Sequence, residues 1–136
     1  MKKSLLIVLT ITIMSTFIVI SCSNDENDLP TEEDTRYYVK YEVSFSLPST
    51  IAFKTTHEIK YTNENGELKI AIQGRSVSWD GTYGPVEKGF VASLGCVSQS
   101  YSIHARIYVC REKEPFVIKA EGEQTNSLSL KYIIDF

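Results

Sequence analysis

Apolar and polar side chains alternate with a period of two from Arg36 onward. The first alternating run, residues 37–47, places six apolar side chains on one face: Tyr37, Val39, Tyr41, Val43, Phe45 and Leu47. A two-residue period is typical of a β-strand with one buried face. Pro48 cannot donate a hydrogen bond to a sheet, so we expect the strand to end before it.

A hairpin is predicted next. Alternating runs flank Asn65-Gly66, a dipeptide that favours a tight two-residue turn. The register we expect pairs Tyr61 with Ile70 and Ile59 with Ile72, which keeps the apolar side chains on a shared face.

The second half of the chain predicts two further hairpins, with turns at residues 99–102 and 122–126. The first turn would place Leu94 opposite Ile107. Between the hairpins of the two halves lies a stretch rich in turn residues that contains Trp79. The four predicted strands are 90–96, 103–109, 116–120 and 128–136.

These elements predict an all-β domain over residues 36–136. Seven or eight short antiparallel strands in about 100 residues are typical of an immunoglobulin-like β-sandwich. An open barrel of the same strands is the alternative.

The N-terminus has a different pattern, typical of a cleaved lipoprotein signal peptide at residues 1–21. Two lysines precede an uncharged run at residues 5–20, which is short for a bilayer-spanning helix. Val19-Ile20-Ser21-Cys22 resembles a bacterial lipobox, in which the cysteine thiol accepts a diacylglycerol. We therefore expect Cys22 to be lipidated and acylated. An uncleaved transmembrane helix is the alternative.

The lipidated cysteine would be followed by a flexible acidic tether, the two together spanning residues 22–35. Residues 23–35 hold six acidic side chains and no basic one. The segment also has too few apolar side chains to form a core. A calcium loop is the alternative, but the closing glutamate of an EF-hand is missing. Cleavage would leave 12 basic and 17 acidic side chains, a charge of −5. This charge argues against nucleic acid as a partner.

Two cysteines remain for the folded domain. In an oxidising compartment, Cys96 and Cys110 would be expected to form a disulfide. The predicted register instead places them on opposite faces and roughly 17 Å apart. Two free thiols are therefore expected.

The sequence predicts no catalytic residue, metal ligand or cofactor. The two histidines, His57 and His104, have no Gly-flanked serine or zinc-ligand spacing near them, and His104 falls on a polar strand face. Four tyrosines are predicted on turns or polar strand faces, where they could form a binding patch: Tyr38, Tyr83, Tyr101 and Tyr108.

Several short motifs resemble the extracytoplasmic domain of MmpS-like small membrane proteins. The resemblance implies a β-sandwich that serves as an accessory to an envelope exporter. The family has a transmembrane helix where this chain has a lipobox. The motifs are Tyr41-Glu42-Val43, residues 59–66, Val77-Ser78-Trp79, residues 89–94 and residues 105–109.

A second resemblance concerns localisation. The acidic residues Asp25, Glu26 and Asp28 look like the surface-export signal of Bacteroidetes lipoproteins. The expected protein is a non-enzymatic binding or accessory module, anchored in the outer membrane by lipid and exposed at the cell surface. A periplasmic orientation, and a small-molecule-binding or enzymatic domain, are the alternatives.

Overall fold

The computed structural model describes residues 35–47 and 55–136. These residues form six antiparallel strands and no helix, so none of them belongs to a helix that could cross a membrane. The predicted signal peptide, Cys22, all of the tether except Thr35, and Pro48 lie outside the described residues. The strands are β1 (Tyr37–Ser46), β2 (Thr55–Asn63), β3 (Gly66–Gly74), β4 (Val77–Val86), β5 (Val91–Arg111) and β6 (Val117–Ile133).

The organising element is β5, which is 21 residues long. Its first part pairs with β2 at residues 94–97, and its last part pairs with β1 at residues 102–111. Along its other side, β6 pairs with both parts. We call β3, β2 and the adjoining parts of β5 and β6 the first half-sheet. The second half-sheet consists of β4, β1 and the remaining parts of β5 and β6.

The all-β antiparallel prediction is confirmed, but the predicted turns at residues 99–102 and 122–126 are wrong. The chain does not reverse there: β5 and β6 each run through and bend together, so six strands replace the seven or eight expected. Ser100 and Asn126 adopt left-handed backbone conformations at this bend, and the Ser100 amide donates to Asn126 Oδ1 at 2.7 Å. The turn-forming residues thus mark a corner within two strands.

The β2–β3 hairpin is confirmed, with a register two residues away from the predicted one. Tyr61 lies opposite Leu68 and Ile59 opposite Ile70. Asn63 Oδ1 accepts a hydrogen bond from the Asn65 amide at 2.9 Å, which fixes a turn one residue earlier than expected. A shift of two residues leaves each side chain on its predicted face.

The core lies between the two half-sheets. The predicted inward residues of β1 are buried from Tyr37 to Phe45. Strands that do not pair with each other meet here through their side chains: the Phe45 ring stacks on His57 with centroids 4.3 Å apart, and the Tyr41 hydroxyl donates to the Thr62 carbonyl at 2.7 Å. Side chains of the two half-sheets therefore contact each other in one shared core.

The side opposite the β5–β6 pair is nearly closed. The end strands β3 and β4 are close at their shared corner, where a Cβ on Gly74 would lie 3.2 Å from the Val77 side chain. Further along, an aromatic stack fills the interior beside them, with Tyr61 4.9 Å from both Trp79 and Tyr83 between ring centroids. The architecture is intermediate between the two predicted shapes, the sandwich and the open barrel.

Both described cysteines are buried and free. Cys96 lies in the first part of β5 and Cys110 near its end, so they are separated along one bent strand rather than by the predicted hairpin register. Burial raises the pKa of the Cys96 thiol to about 12 and also raises the pKa of Cys110. These thiols therefore stay protonated at neutral pH.

The bend can be tested at Asn126. Asn126→Gly keeps the left-handed backbone and loses the bond from Ser100, so we expect a loss of about 1 kcal/mol in the free energy of unfolding. Asn126→Val adds the strain of a β-branched residue in that conformation, and we expect about 2–3 kcal/mol. Urea denaturation followed by circular dichroism measures both, with the exposed neighbour Thr125→Val as the control. Equal losses for Gly and Val would contradict the role of the left-handed backbone.

Candidate functional site

The outward side of the second half-sheet carries a continuous set of polar side chains, which we call the outer polar face. It arises because alternate residues of β1 and β5 point away from the core. An open depression of about 350 Å³ lies on this face. The face comprises Lys40, Glu42 and Ser44 of β1, Ser78 and Asp80 of β4, His104, Arg106 and Tyr108 of β5, and Glu121 and Glu123 of β6.

Strand register places four charged residues in one row across the sheet: Asp80, Glu42, Arg106 and Glu121. Directly opposed residues of antiparallel strands have Cβ atoms about 4.5–5.5 Å apart, so neighbours in this row interact. Glu42 and Asp80 carry like charges. The unfavourable pair is tolerated because cations lie beside Glu42.

Glu42 accepts hydrogen bonds at both carboxylate oxygens. Lys40 Nζ donates to Oε1 at 2.6 Å and the Tyr108 hydroxyl donates to Oε2 at 2.6 Å. These bonds, the one from Lys40 first, lower the pKa of the Glu42 carboxyl. The same contacts raise the pKa of Lys40 and of Tyr108. Glu42 thus remains ionised while holding both neighbours in place.

Glu121 joins β6 to the same network. Arg106 Nε donates to Glu121 Oε1 at 2.6 Å, and His104 Nε2 lies 2.9 Å from the same oxygen. The bond from Arg106 is the largest cause of the lowered pKa of Glu121. Arg106 also lies 4.0 Å from Glu42 Oε2, so it connects the two carboxylates.

The outer polar face is suited to binding through hydrogen bonds and charge. Its donors and acceptors are fixed by one another on a rigid sheet, which reduces the entropy lost when a partner binds. Asp80 makes no hydrogen bond or ion pair with the described residues and stays available at the end of the row. In the part of the chain that the structure describes, no group of three or more His, Cys, Asp or Glu side chains could hold a metal ion.

The four predicted tyrosines do not form one patch. Tyr108 belongs to the outer polar face, and Tyr38 is half-buried on the same side of β1. Tyr83 is half-buried against the core beside Tyr61. The prediction that Tyr101 is exposed is wrong, since it is 1% exposed. Because β5 bends instead of reversing, the Tyr101 side chain faces the core, as the Ile103 side chain does.

A buried Ser–His pair was not predicted. His57 is fully buried between the rings of Phe45 and Tyr101. Its Nδ1 lies 2.6 Å from Ser98 Oγ, and its Nε2 lies 3.0 Å from the Gly74 carbonyl oxygen. Both ring nitrogens are therefore engaged.

Burial gives this pair a structural role. Ser98 is 2% exposed, so a substrate cannot reach its hydroxyl. One signal in the sequence could have revealed the position of His57: it shares the two-residue phase of Ile59 and Tyr61, which places it on the inward face of β2. His104 lies on the polar face beside Arg106, as predicted.

Comparison of the chain with protein-family models, with curated proteins and with solved structures found no match. The resemblances to MmpS-like proteins and to Bacteroidetes lipoproteins therefore stay predictions.

The Glu121 ion pair has a testable pH dependence. A lowered pKa in the folded state means that the carboxylate stabilises the fold above its ordinary pKa and loses this effect as the pH falls through the lowered value. Glu121→Gln should therefore lower the urea midpoint more at pH 7 than at about pH 3, where the wild-type carboxylate becomes protonated.

Glu123→Gln is the matched control, because Glu123 is the next outward residue of β6 and accepts only a neutral hydroxyl, from Ser102 at 2.9 Å. A Glu121→Gln deficit of the same size at both pH values would show that the ion pair does not stabilise the fold.

Proposed function

We propose that the protein is a lipid-anchored, non-enzymatic binding module of the outer membrane. Cys22 carries the lipid, residues 23–35 form the tether, and the two half-sheets constitute an immunoglobulin-like sandwich. The proposed location is the cell surface, with the periplasmic side as the alternative.

The outer polar face is the observation that supports binding. Side chains from three neighbouring strands, β1, β5 and β6, are oriented by bonds among themselves before any partner arrives. The depression over them is open, and most of its lining residues are polar or charged, with Val43 and Trp79 as the exceptions. Open polar surfaces of this kind match the rim chemistry of protein–protein interfaces. An envelope protein is therefore the proposed partner.

The charges indicate which partner surface would fit. Lys40 pairs with Glu42, and Arg106 pairs with Glu121 and Glu42. Asp80 forms no ion pair with the residues that the structure describes, although the charge of Lys40 lies near enough to interact with it. A partner that presents a basic or hydrogen-bond-donating group to Asp80 would complete the row. An accessory role in an envelope transport complex rests on the resemblance to MmpS-like proteins alone.

Crosslinking in native membranes tests the proposal. We expect the wild-type protein to recover a defined envelope protein. Arg106→Ala should lose it, because this substitution releases Glu121 and removes the cation beside Glu42. The matched control is Lys69→Ala, which removes an ion pair with Glu58 on the first half-sheet and should keep the partner. Recovery that is equal for all three proteins, or recovery of the protein alone, would contradict binding through this face.

The anchor is tested separately in the same cells. Cys22→Ser cannot form the thioether, so we expect this variant in the soluble fraction and the wild type in the membrane fraction. A Cys22→Ser protein that has lost residues 1–21 and still stays in the membrane would contradict lipid anchoring at this residue without bearing on the polar face.

A further inference from the structure

The two half-sheets share one end, which we call the entry end because β1 begins there. The start of β1 lies beside the ends of β4 and β5. In the first half-sheet β5 begins and β6 ends at the same place, with Val91 opposite Ile133. The β2–β3 hairpin reaches it too, since the Thr62 hydroxyl donates to the Val91 carbonyl at 2.8 Å. Phe136 joins the half-sheets here, because its ring packs edge-on against Tyr37 with centroids 5.6 Å apart.

Exposed apolar side chains gather at the entry end. Of the seven large hydrophobic residues that are exposed in the described part of the chain, six lie within three residues of a strand terminus at this end. They are Leu68 of β3, Val91 of β5, Phe116, Val117 and Ile118 at the start of β6, and Ile133 at its end. The seventh, Val97, lies at the other end, next to the bend of β5. Both half-sheets contribute, so the apolar surface belongs to the whole end.

The loops at the entry end carry charges of both signs. Glu87 and Lys88 are neighbours in the β4–β5 loop, and Lys113 lies between Glu112 and Glu114 in the β5–β6 turn. A surface that is attracted to anionic lipid by charge needs an excess of Lys and Arg. These two loops have no such excess, so contact of this end with another surface would depend on its apolar side chains.

The segment that leads to the proposed lipid also leaves the domain at this end. Arg36 directly precedes β1, and its carbonyl accepts a hydrogen bond from the Glu112 amide at 3.0 Å. Residues 23–35 separate it from Cys22. A flexible chain of this length spans about 20 Å. By comparison, β1 has 10 residues and is about 34 Å long. The opposite end would reach the bilayer only if this segment ran back along the whole domain.

We propose that the entry end lies against the lipid surface, with its exposed apolar side chains in the interfacial layer of the bilayer. This inference rests on the proposed lipid anchor at Cys22. Apolar area that is buried at a membrane interface adds to the strength of binding. The anchor keeps this area close to the lipid, so even a weak contact orients the domain.

A partner strand explains the apolar surface less completely. The side of β6 away from β5 has no partner strand in residues 35–47 and 55–136, and we call it the free edge. A strand added there would lie beside Phe116, Val117 and Ile118, but it would leave Leu68 of β3 uncovered. A lipid surface can meet residues of both half-sheets.

This orientation also determines where the outer polar face points. The strands of the second half-sheet run away from the entry end, so the face would stand beside the membrane and not against it. It would then stay open to a neighbouring protein of the same membrane.

Fluorescence quenching in vesicles tests the orientation. The full-length lipidated protein is reconstituted at a low protein-to-lipid ratio in phosphatidylcholine vesicles, which contain a lipid with a nitroxide near the top of its acyl chain. A small fluorophore is attached to Val117→Cys or Ile133→Cys, with Val97→Cys as the matched control. Val117 and Val97 are both 53% exposed, and Ile133 is 51% exposed. The native Cys96 and Cys110 are buried.

We expect the nitroxide to quench the labels at residues 117 and 133 several-fold more strongly than the label at residue 97. Val97 lies about 20 Å along β5 from Val91, which is too far for a contact quencher. Because the contact is apolar, quenching should be the same at about 0.1 M and about 1 M salt.

Three results would overturn the proposal. Quenching at residues 117 and 133 that does not exceed quenching at residue 97 would show that the domain has no preferred contact at this end. Quenching at residue 117 alone would confine the contact to the start of β6. Quenching that disappears at high salt would show a contact made by charge.

The anchor is judged separately, by flotation of the unlabelled wild-type protein with the same vesicles. A protein that floats, with labels that are not quenched, keeps the anchor and loses only the orientation. A protein that does not float contradicts the anchor and this inference together. Neither result depends on partner recovery through the outer polar face.

Discussion

The rest of the structure depends on the hydrogen bonding of one strand, β5, to three others. Its first part holds β2 and its last part holds β1, while β6 follows it across the bend. This pairing brings the inward faces of two half-sheets together and creates the core in which Tyr41, Ile59 and Ile107 are fully buried. If β5 ended at its centre, β6 would be the only strand in the described residues that connects the half-sheets by continuous backbone at this side.

The same strand arranges the surface. Because its last part lies between β1 and β6, the outward side chains of Arg106 and Tyr108 meet carboxylates from both neighbours, Glu42 and Glu121. Since β6 pairs with β5 alone among the described residues, its other edge has no partner strand there, next to Phe116, Val117 and Ile118. The outer polar face and the free edge are thus two results of one strand order.

Much of the fold follows from local pattern. The alternation in β1 correctly predicts its start and buried face and places its end one residue too late. Asn65-Gly66 correctly predicts a β2–β3 hairpin, although not its register. The bend of β5 could not be predicted in this way, because Ser98, Gln99 and Ser100 suit both a hairpin turn and a corner within a strand. The Asn126 side chain decides between the turn and the corner, because it accepts a hydrogen bond from the Ser100 amide. Asn126 lies on β6, 26 residues after Ser100 in the sequence.

The candidate site was less predictable still. Of the four tyrosines, Tyr108 lies on the outer polar face, and its role there depends on Glu42, a residue of a different strand. Cross-strand neighbours are fixed by register, which the periodicity of single strands does not specify. His57 and Ser98 show the same difficulty: each looks unremarkable in its own strand, and only the packing of β2 on β5 brings them to 2.6 Å.

The central claim is that β5 is a single strand whose two parts unfold together with both half-sheets. Native-state hydrogen exchange of individual amides tests it most directly. The account predicts that protected amides at residues 94–96 and 103–109 exchange only through global unfolding, with the free energy measured by urea denaturation. If one of these segments exchanged at a clearly lower free energy while the other stayed protected, the half-sheets would be separate cooperative units and the account would be contradicted.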